Sequence, residues 1–268
     1  MRYTDTDLKF LARAVADGDP EAAAEYLRAW RADPARAEPW CDDERVLRQV
    51  HADDYAVVEL SPRFLFTVLL RRIRRDLATI PYTVERIESD GRLVVFDAGV
   101  VHELLNADEM FRYLVDLLVS FERIETMTIR HLRPRPQVRR LNTLNIDDMV
   151  ELARLVEAPW RPMIFRRIGD IALFTSGIFP DAIHHGPRRF ASPLVQTAVG
   201  RGRRLEDYET EGRRFYRLAA DRLSGSQPDL ARVLARLAED FTIARKPLTV
   251  LSDRYVAWAR PHWAQSPS

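Results

Sequence analysis

The stretch "RRIGDIALFTSGIFPD", Arg166 to Asp181, decides the fold. Ile168, Ile171, Phe174, Ile178 and Phe179 spread around the circumference of a helix, and a helix that is apolar nearly all round is a buried one. Gly169, Ala172 and Ser176 fall at i, i+3 and i+7, a stripe of small side chains that lets a neighbouring backbone come close. Gly177 followed by Pro180 makes a stop. The pattern predicts a central buried helix over 163–179 with other helices laid against it. Asp170 lies inside that helix, and a buried carboxylate requires an arginine or several hydrogen-bond donors. Structural anchoring is therefore the first reading of Asp170, ahead of catalysis. The Gly-Asp step is not a nucleotide fingerprint, because G-x-G-x-x-G and the P-loop lysine are both absent.

Outward from this stretch, helix signals dominate. Asp19 with Pro20 opens a helix through Trp30, Ser61 with Pro62 opens another whose last turns carry Arg71, Arg72, Arg74 and Arg75, and Asn145 caps 146–156. Asp97 is placed to cap a short helix through Leu105. Two further helical regions, 205–223 and 229–258, close the chain, the second interrupted near Pro247. The period changes once, in "YTVERIESDGRLVVFD", where β-branched runs flank Ser89-Asp90-Gly91 and predict one hairpin of two strands, about 83–88 and 92–96. A lone hairpin is marginal and must rest on helices. "TIRHLRPRPQVRRLNTLN" is kept out of helix by Pro134 and Pro136 and reads as a long loop. The fold class is mainly α: a multi-helix, orthogonal or bundle-like domain with one small β-hairpin at about 83–96.

The chain has 268 residues, 46% of them hydrophobic, enough to bury a large core. No window is long and apolar enough for a membrane span, the N-terminus lacks the basic and apolar regions of a secretory signal, and Cys41 is the single cysteine. The expected location is cytoplasmic. Net charge is only +1, yet residues 1–60 hold fourteen Asp or Glu against eight Lys or Arg. This predicts an acidic N-terminal helical extension, 1–58, lying against a basic main helical domain, 59–268. Of 41 basic residues only Lys9 and Lys246 are lysine.

Two arginine-rich segments free of acids are the candidate anion sites: 130–140 with Arg133, Arg135, Arg139 and Arg140, and 182–204 with Arg201, Arg203 and Arg204 around Gly200 and Gly202. The catalytic candidates are Asp170 with Tyr208 or Tyr216. Asp181, His184 and His185 superficially suggest a metal set, but Pro180 and Gly186-Pro187 bracket them and argue for a loop. No metal and no cofactor is expected.

Arg167, Gly169-Asp170, Leu173-Phe174, Gly177 and Phe179-Pro180, followed by Tyr208, Gly212 and Tyr216 at a spacing of four, resemble a signature of uncharacterised, mostly helical bacterial proteins. In those a Gly-Asp-x-x-Leu-Phe-x-x-Gly-x-Phe-Pro helix precedes a Tyr-x-x-x-Gly-x-x-x-Tyr helix. The resemblance spans about 160–225 and implies a helical unit with no known activity. The leading expectation is a non-enzymatic binding or interaction protein with an Arg-rimmed helical pocket or surface. Its partner would be a protein or a small anionic ligand, with a homo-oligomer also open. The alternatives are a nucleic-acid binder using the arginines of 130–140 and 188–204, and an enzyme using Asp170 with Tyr208 or Tyr216.

Overall fold

The computed structural model describes residues 3–53, 56–86, 91–121, 126–131, 137–187, 190, 192–200 and 202–256. Its first elements are α1 (Asp5–Ala16), α2 (Pro20–Ala32), a 3₁₀ segment (Pro34–Asp42), α3 (Glu44–Ala52), α4 (Ala56–Glu59) and α5 (Pro62–Leu77). Thr4 and Asp7 form a capping box at the start of α1, and Asp19 caps α2 through the Glu21 and Ala22 amides. Asp7 is fully buried because it also serves α5. Its carboxylate accepts the Ser61 amide at 2.8 Å and the Ser61 hydroxyl at 2.7 Å, tying α1 to the first turn of that helix.

Two apolar cores meet along α5. Phe64 and Val68 pack with Leu11, Val46 and Trp30 of the first elements, while Leu70, Ile73 and Leu77 belong to the larger core that follows. Around the same helix the acidic residues of the N-terminal part find arginines. Arg71 pairs with Asp42 and Glu38, Arg72 with Glu44 and Arg74 with Asp42. The attraction between an acidic N-terminus and basic α5 therefore has named partners.

The hairpin follows as β1 (Thr83–Arg86) and β2 (Arg92–Val95), antiparallel with Thr83 opposite Val95 and Val84 opposite Val94. Residues 87–90 of its expected turn lie outside the described residues. Then come α6 (Ala98–Asn106), α7 (Asp108–Ser120), β3 (Thr126–His131), β4 (Gln137–Asn142), α8 (Ile146–Leu155), α9 (Arg161–Ile178), α10 (Pro180–His185), α11 (Pro193–Ala198), α12 (Leu205–Leu223), α13 (Pro228–Glu239) and α14 (Phe241–Leu251), with a π-helical turn over Ser252–Val256. The fold is mainly α with the small hairpin at 83–95, as the periodicities predict. No described helix is long and apolar enough to cross a membrane.

Three local expectations are corrected. The segment read as a long loop forms the antiparallel pair β3–β4, in which Thr126 faces Asn142. Pro134 and Pro136 lie outside the described residues, between the two strands in sequence, and so take no part in the ladder. The segment bracketed by Pro180 and Gly186 is helical as α10, with Pro180 at its first position, where a missing N–H costs nothing. The final helical region breaks at Asp240 instead of Pro247, which sits buried inside α14. Arg213 accounts for that break by donating to the Ala238 carbonyl at 3.0 Å and to the Glu239 carbonyl at 2.5 Å, so the end of α13 is satisfied by a side chain.

α9 is the central helix: every residue from Ile168 to Ile178 is buried, and α12 is its most extensive neighbour. Gly169 and Ala172 of the small stripe face α12, and Gly177, read from the sequence as part of the stop, lies inside α9 against α14. A side chain at Gly169 would stand 2.6 Å from a ring carbon of Tyr216, and one at Gly177 would stand 2.6 Å from Leu248 Cβ. Gly212 answers from α12, where an added Cβ would collide with Phe241 and press on Ala172. Gly169→Ala will destabilise the protein by about 1–3 kcal/mol, the usual cost of overpacking a filled core. Gly99→Ala in α6, with open space around the glycine, will be neutral or stabilising. Chemical denaturation of the two variants checks the contrast.

Candidate functional site

Asp170 projects from α9 toward α7 and α12 and is 5% exposed. Tyr113 of α7 donates its hydroxyl to Asp170 Oδ1 at 2.6 Å, and Tyr216 of α12 donates to the same oxygen at 2.9 Å. Arg166, one turn earlier on α9, stands 3.6 Å from Oδ2, donates to the Tyr113 hydroxyl at 3.1 Å and lies over the Tyr113 ring. Burial raises the Asp170 carboxyl above its ordinary range against the opposing pull of Arg166 and the two hydroxyls. Burial likewise raises both tyrosines well above their usual value, so they remain donors. One carboxylate thus fastens three helices through donors that already surround it, an arrangement suited to anchoring.

Of the two tyrosines named beside Asp170, the structure brings only Tyr216 to it. Tyr208 lies one turn past the start of α12, where its hydroxyl accepts the Gly200 amide at 2.7 Å. Tyr113 and Arg166 were not among the sequence candidates. Tyr113 sits in an ordinary apolar helix pattern and gives no signal of its own, whereas Arg166 stands four residues before Asp170, a spacing that pairs side chains on a helix.

The arginine candidates divide. Arg203 is committed internally: it holds Asp147 of α8 through two bonds of 2.7 and 2.8 Å and Glu211 of α12 at 3.2 Å, and these partners raise its pKa. Arg204 is the residue before α12, with its amide donated to Asp207. Arg133, Arg135 and Arg201 lie outside the described residues, and Arg139 and Arg140 stand in β4 opposite Ile129 and Thr128. Asp181, His184 and His185 share α10, where the Asp181 carboxylate is taken by Arg86 of β1. Among the described residues no three His, Cys, Asp or Glu side chains form a metal shell.

A second buried polar cluster lies under the β1–β2 hairpin. Lys246 of α14 donates to Thr83 Oγ1 at 3.1 Å, Glu85 Oε1 at 3.1 Å and Asp97 Oδ2, so each of its three N–H bonds has an acceptor. Arg245 beside it pairs with Glu85 at 2.5 Å and Glu209 of α12 at 3.1 Å. Asp97 is therefore not the helix cap that its position suggests: its carboxylate accepts from Thr83 and Lys246, and it makes no capping bond to α6. The acceptors converge on one point, which suits a tetrahedral ammonium better than a planar guanidinium. This explains a lysine in a chain that otherwise uses arginine almost throughout.

The consequence for the hairpin is an inverted ribbon. Thr83 and Glu85 reach Lys246 of α14, while Tyr82, Val84, Val94 and Phe96 fall on the other side and remain exposed; Leu93, opposite Glu85, is exposed as well, and Arg86, on the Val84 side, reaches Asp181 and Asp253. Phe96 is 78% exposed and meets Tyr82 edge to face with centroids 6.3 Å apart. The sequence shows Thr83 and Glu85 alternating with Tyr82 and Val84, but sequence alone does not reveal that Thr83 and Glu85 face inward.

Against known proteins, no family model, no curated protein and no solved structure matches this chain.

Because burial raises the Asp170 pKa, folding favours its protonated form. Its contribution is fully present below the unfolded carboxylate value and is lost as pH rises through the folded one. The stability of the natural protein relative to Asp170→Asn will therefore fall across that window, and Tyr216→Phe will cost about 1–2 kcal/mol; urea unfolding at a series of pH values checks both. Lys246→Met leaves buried Asp97 without its cation, while Glu85 keeps Arg245, and will cost on the order of 3 kcal/mol. Lys246→Arg will not restore it, and the same unfolding measurement reads both variants.

Proposed function

We propose that this chain is a non-enzymatic interaction protein whose docking surface is the outer face of the β1–β2 hairpin, and that the occupant is a second copy of the chain. The observation that carries this reading is the inverted ribbon. An apolar strand face normally turns toward the core; here Tyr82, Val84, Val94 and Phe96 turn outward. Contiguous apolar surface of a few hundred Å² marks contact sites on proteins in water. The buried Lys246–Asp97–Glu85 cluster fixes the ribbon from beneath, so the face is presented without an ordering cost on binding.

A two-stranded antiparallel ribbon suits pairing with its own copy. Stacking two such faces about a two-fold axis places Val84, Val94, Tyr82 and Phe96 against the same residues of the second copy, as in the apolar layer of a sandwich about 10 Å thick. The non-enzymatic part of the reading is supported by Asp170, whose oxygens are already engaged by protein donors. The nucleic-acid alternative loses support at Arg203, whose guanidinium is held by Asp147 and Glu211.

Sedimentation equilibrium tests the proposal. The natural protein will self-associate reversibly in the micromolar range, and Phe96→Asp will remain a monomer with an unchanged or higher melting temperature, since the replaced ring is exposed. A natural protein that stays monomeric across that range, or a Phe96→Asp variant that associates as before, contradicts it.

A further inference from the structure

We propose that the free edge of β2 is a second self-contact, through which two face-paired dimers join into a closed tetramer with a four-stranded sheet in each layer. The proposal rests on the reading of the hairpin's outer face as the dimer contact, and it names what that contact leaves open. The face accounts for Val94 but not for Leu93, which stands on the opposite side of the same strand and is 52% exposed. Arg92, Leu93 and Val94 are exposed in succession, so β2 is uncovered on both faces, whereas Thr83 of β1 is buried over α14. β2 therefore stands clear of the helices that carry β1.

The backbone of β2 is open as well. The sheet has two strands, and in an antiparallel ladder alternate residues turn their N–H and C=O groups away from the partner strand. Among the described residues, Arg92, Leu93 and Val94 make no backbone hydrogen bond outside the β1 ladder. The strand also lacks the usual devices that close an edge: it has no proline and no lysine, and its one charge, Arg92, stands at its end.

The occupant that fits is β2 of another copy. Opposite side chains of an antiparallel pair share a face, so a two-fold axis perpendicular to the sheet must pass through a residue. With the axis on Val94, Val94 meets its own copy, Leu93 meets Val95, and Arg92 lies opposite Phe96, the residue after the strand. The first two pairs are apolar, the third sets a guanidinium on an aromatic ring, and no like charges meet. Leu93 is covered in the process. Four residues of edge bury far less than two copies need to hold together, so the face-paired dimer is the unit that joins. When the face two-fold runs across the strands, both β2 edges of a dimer lie on one side and two dimers engage both edges at once. The face and edge axes then cross at right angles, and the assembly closes with D2 symmetry instead of growing into a fibre.

Sedimentation velocity of the full chain over a concentration series tests the proposal, with amide hydrogen exchange of residues 91–96 read at each step. The natural protein is expected to pass from monomer to dimer to tetramer, and the 91–96 amides to gain protection at the last step. Leu93→Lys places a charge on the edge and should stop assembly at the dimer. Its melting temperature should match that of the natural dimer, because Leu93 is exposed in the fold. A natural protein that stops at the dimer, a Leu93→Lys variant that still forms tetramers, or a tetramer whose 91–96 amides exchange as in the dimer overturns the edge contact and leaves the face reading standing. A natural protein that stays monomeric overturns both.

Discussion

The close approach of α14 to α9 at Gly177 is the contact on which the functional geometry depends. Only hydrogen at that position lets Leu248 and the Arg245 carbonyl lie against the central helix; a methyl group there would meet both. Seated at this distance, α14 turns Arg245 and Lys246 toward the hairpin, where Glu85, Asp97 and Thr83 receive them. The hairpin is thereby held through Thr83 and Glu85 and leaves Val84, Val94 and Phe96 to solvent. A missing side chain in the core and an exposed phenylalanine on the surface are two ends of one sequence of contacts.

The two buried polar clusters divide the work between them. Asp170 binds α7, α9 and α12 from within the main core, where two tyrosine hydroxyls and a guanidinium replace the water that the carboxylate gives up on burial. Lys246 binds a small sheet to the helices, where apolar packing alone would leave a two-stranded ribbon marginal. Buried ion pairs of this kind add little net stability over apolar side chains of equal volume, but an arrangement that leaves one partner buried and unpaired is costly. Here the arrangement they favour is the unusual one, with the apolar side of the ribbon outward.

Much of the fold is legible in the sequence because its determinants are local. The all-round apolar pattern of α9, the small stripe at Gly169, Ala172 and Ser176, and the Ser61-Pro62 start of α5 each act within one helix or its first turn. The β3–β4 pair is hidden because Pro134 and Pro136 argue against helix as strongly for a loop as for strands on either side of a turn. The break at Asp240 is hidden because its cause is Arg213, 26 residues away from Glu239 in sequence. The site is legible only in part for the same reason. That Asp170 needs donors follows from burial, but that Tyr113 is one of them depends on how α7 crosses α9. Likewise Arg203 reads as a free cation until α8 brings Asp147 to it.

The central claim, that the hairpin rests on its polar face and presents its apolar one, is tested most directly by hydroxyl-radical footprinting of the dilute protein, read residue by residue. Fast oxidation of Phe96 and Tyr82 is expected, with Leu248 and Tyr216 protected, and the Phe96 signal should fade as the protein is concentrated. Slow oxidation of Phe96 in the dilute protein would mean that the ribbon lies the other way up, with its apolar face inward, and would contradict the claim at its base.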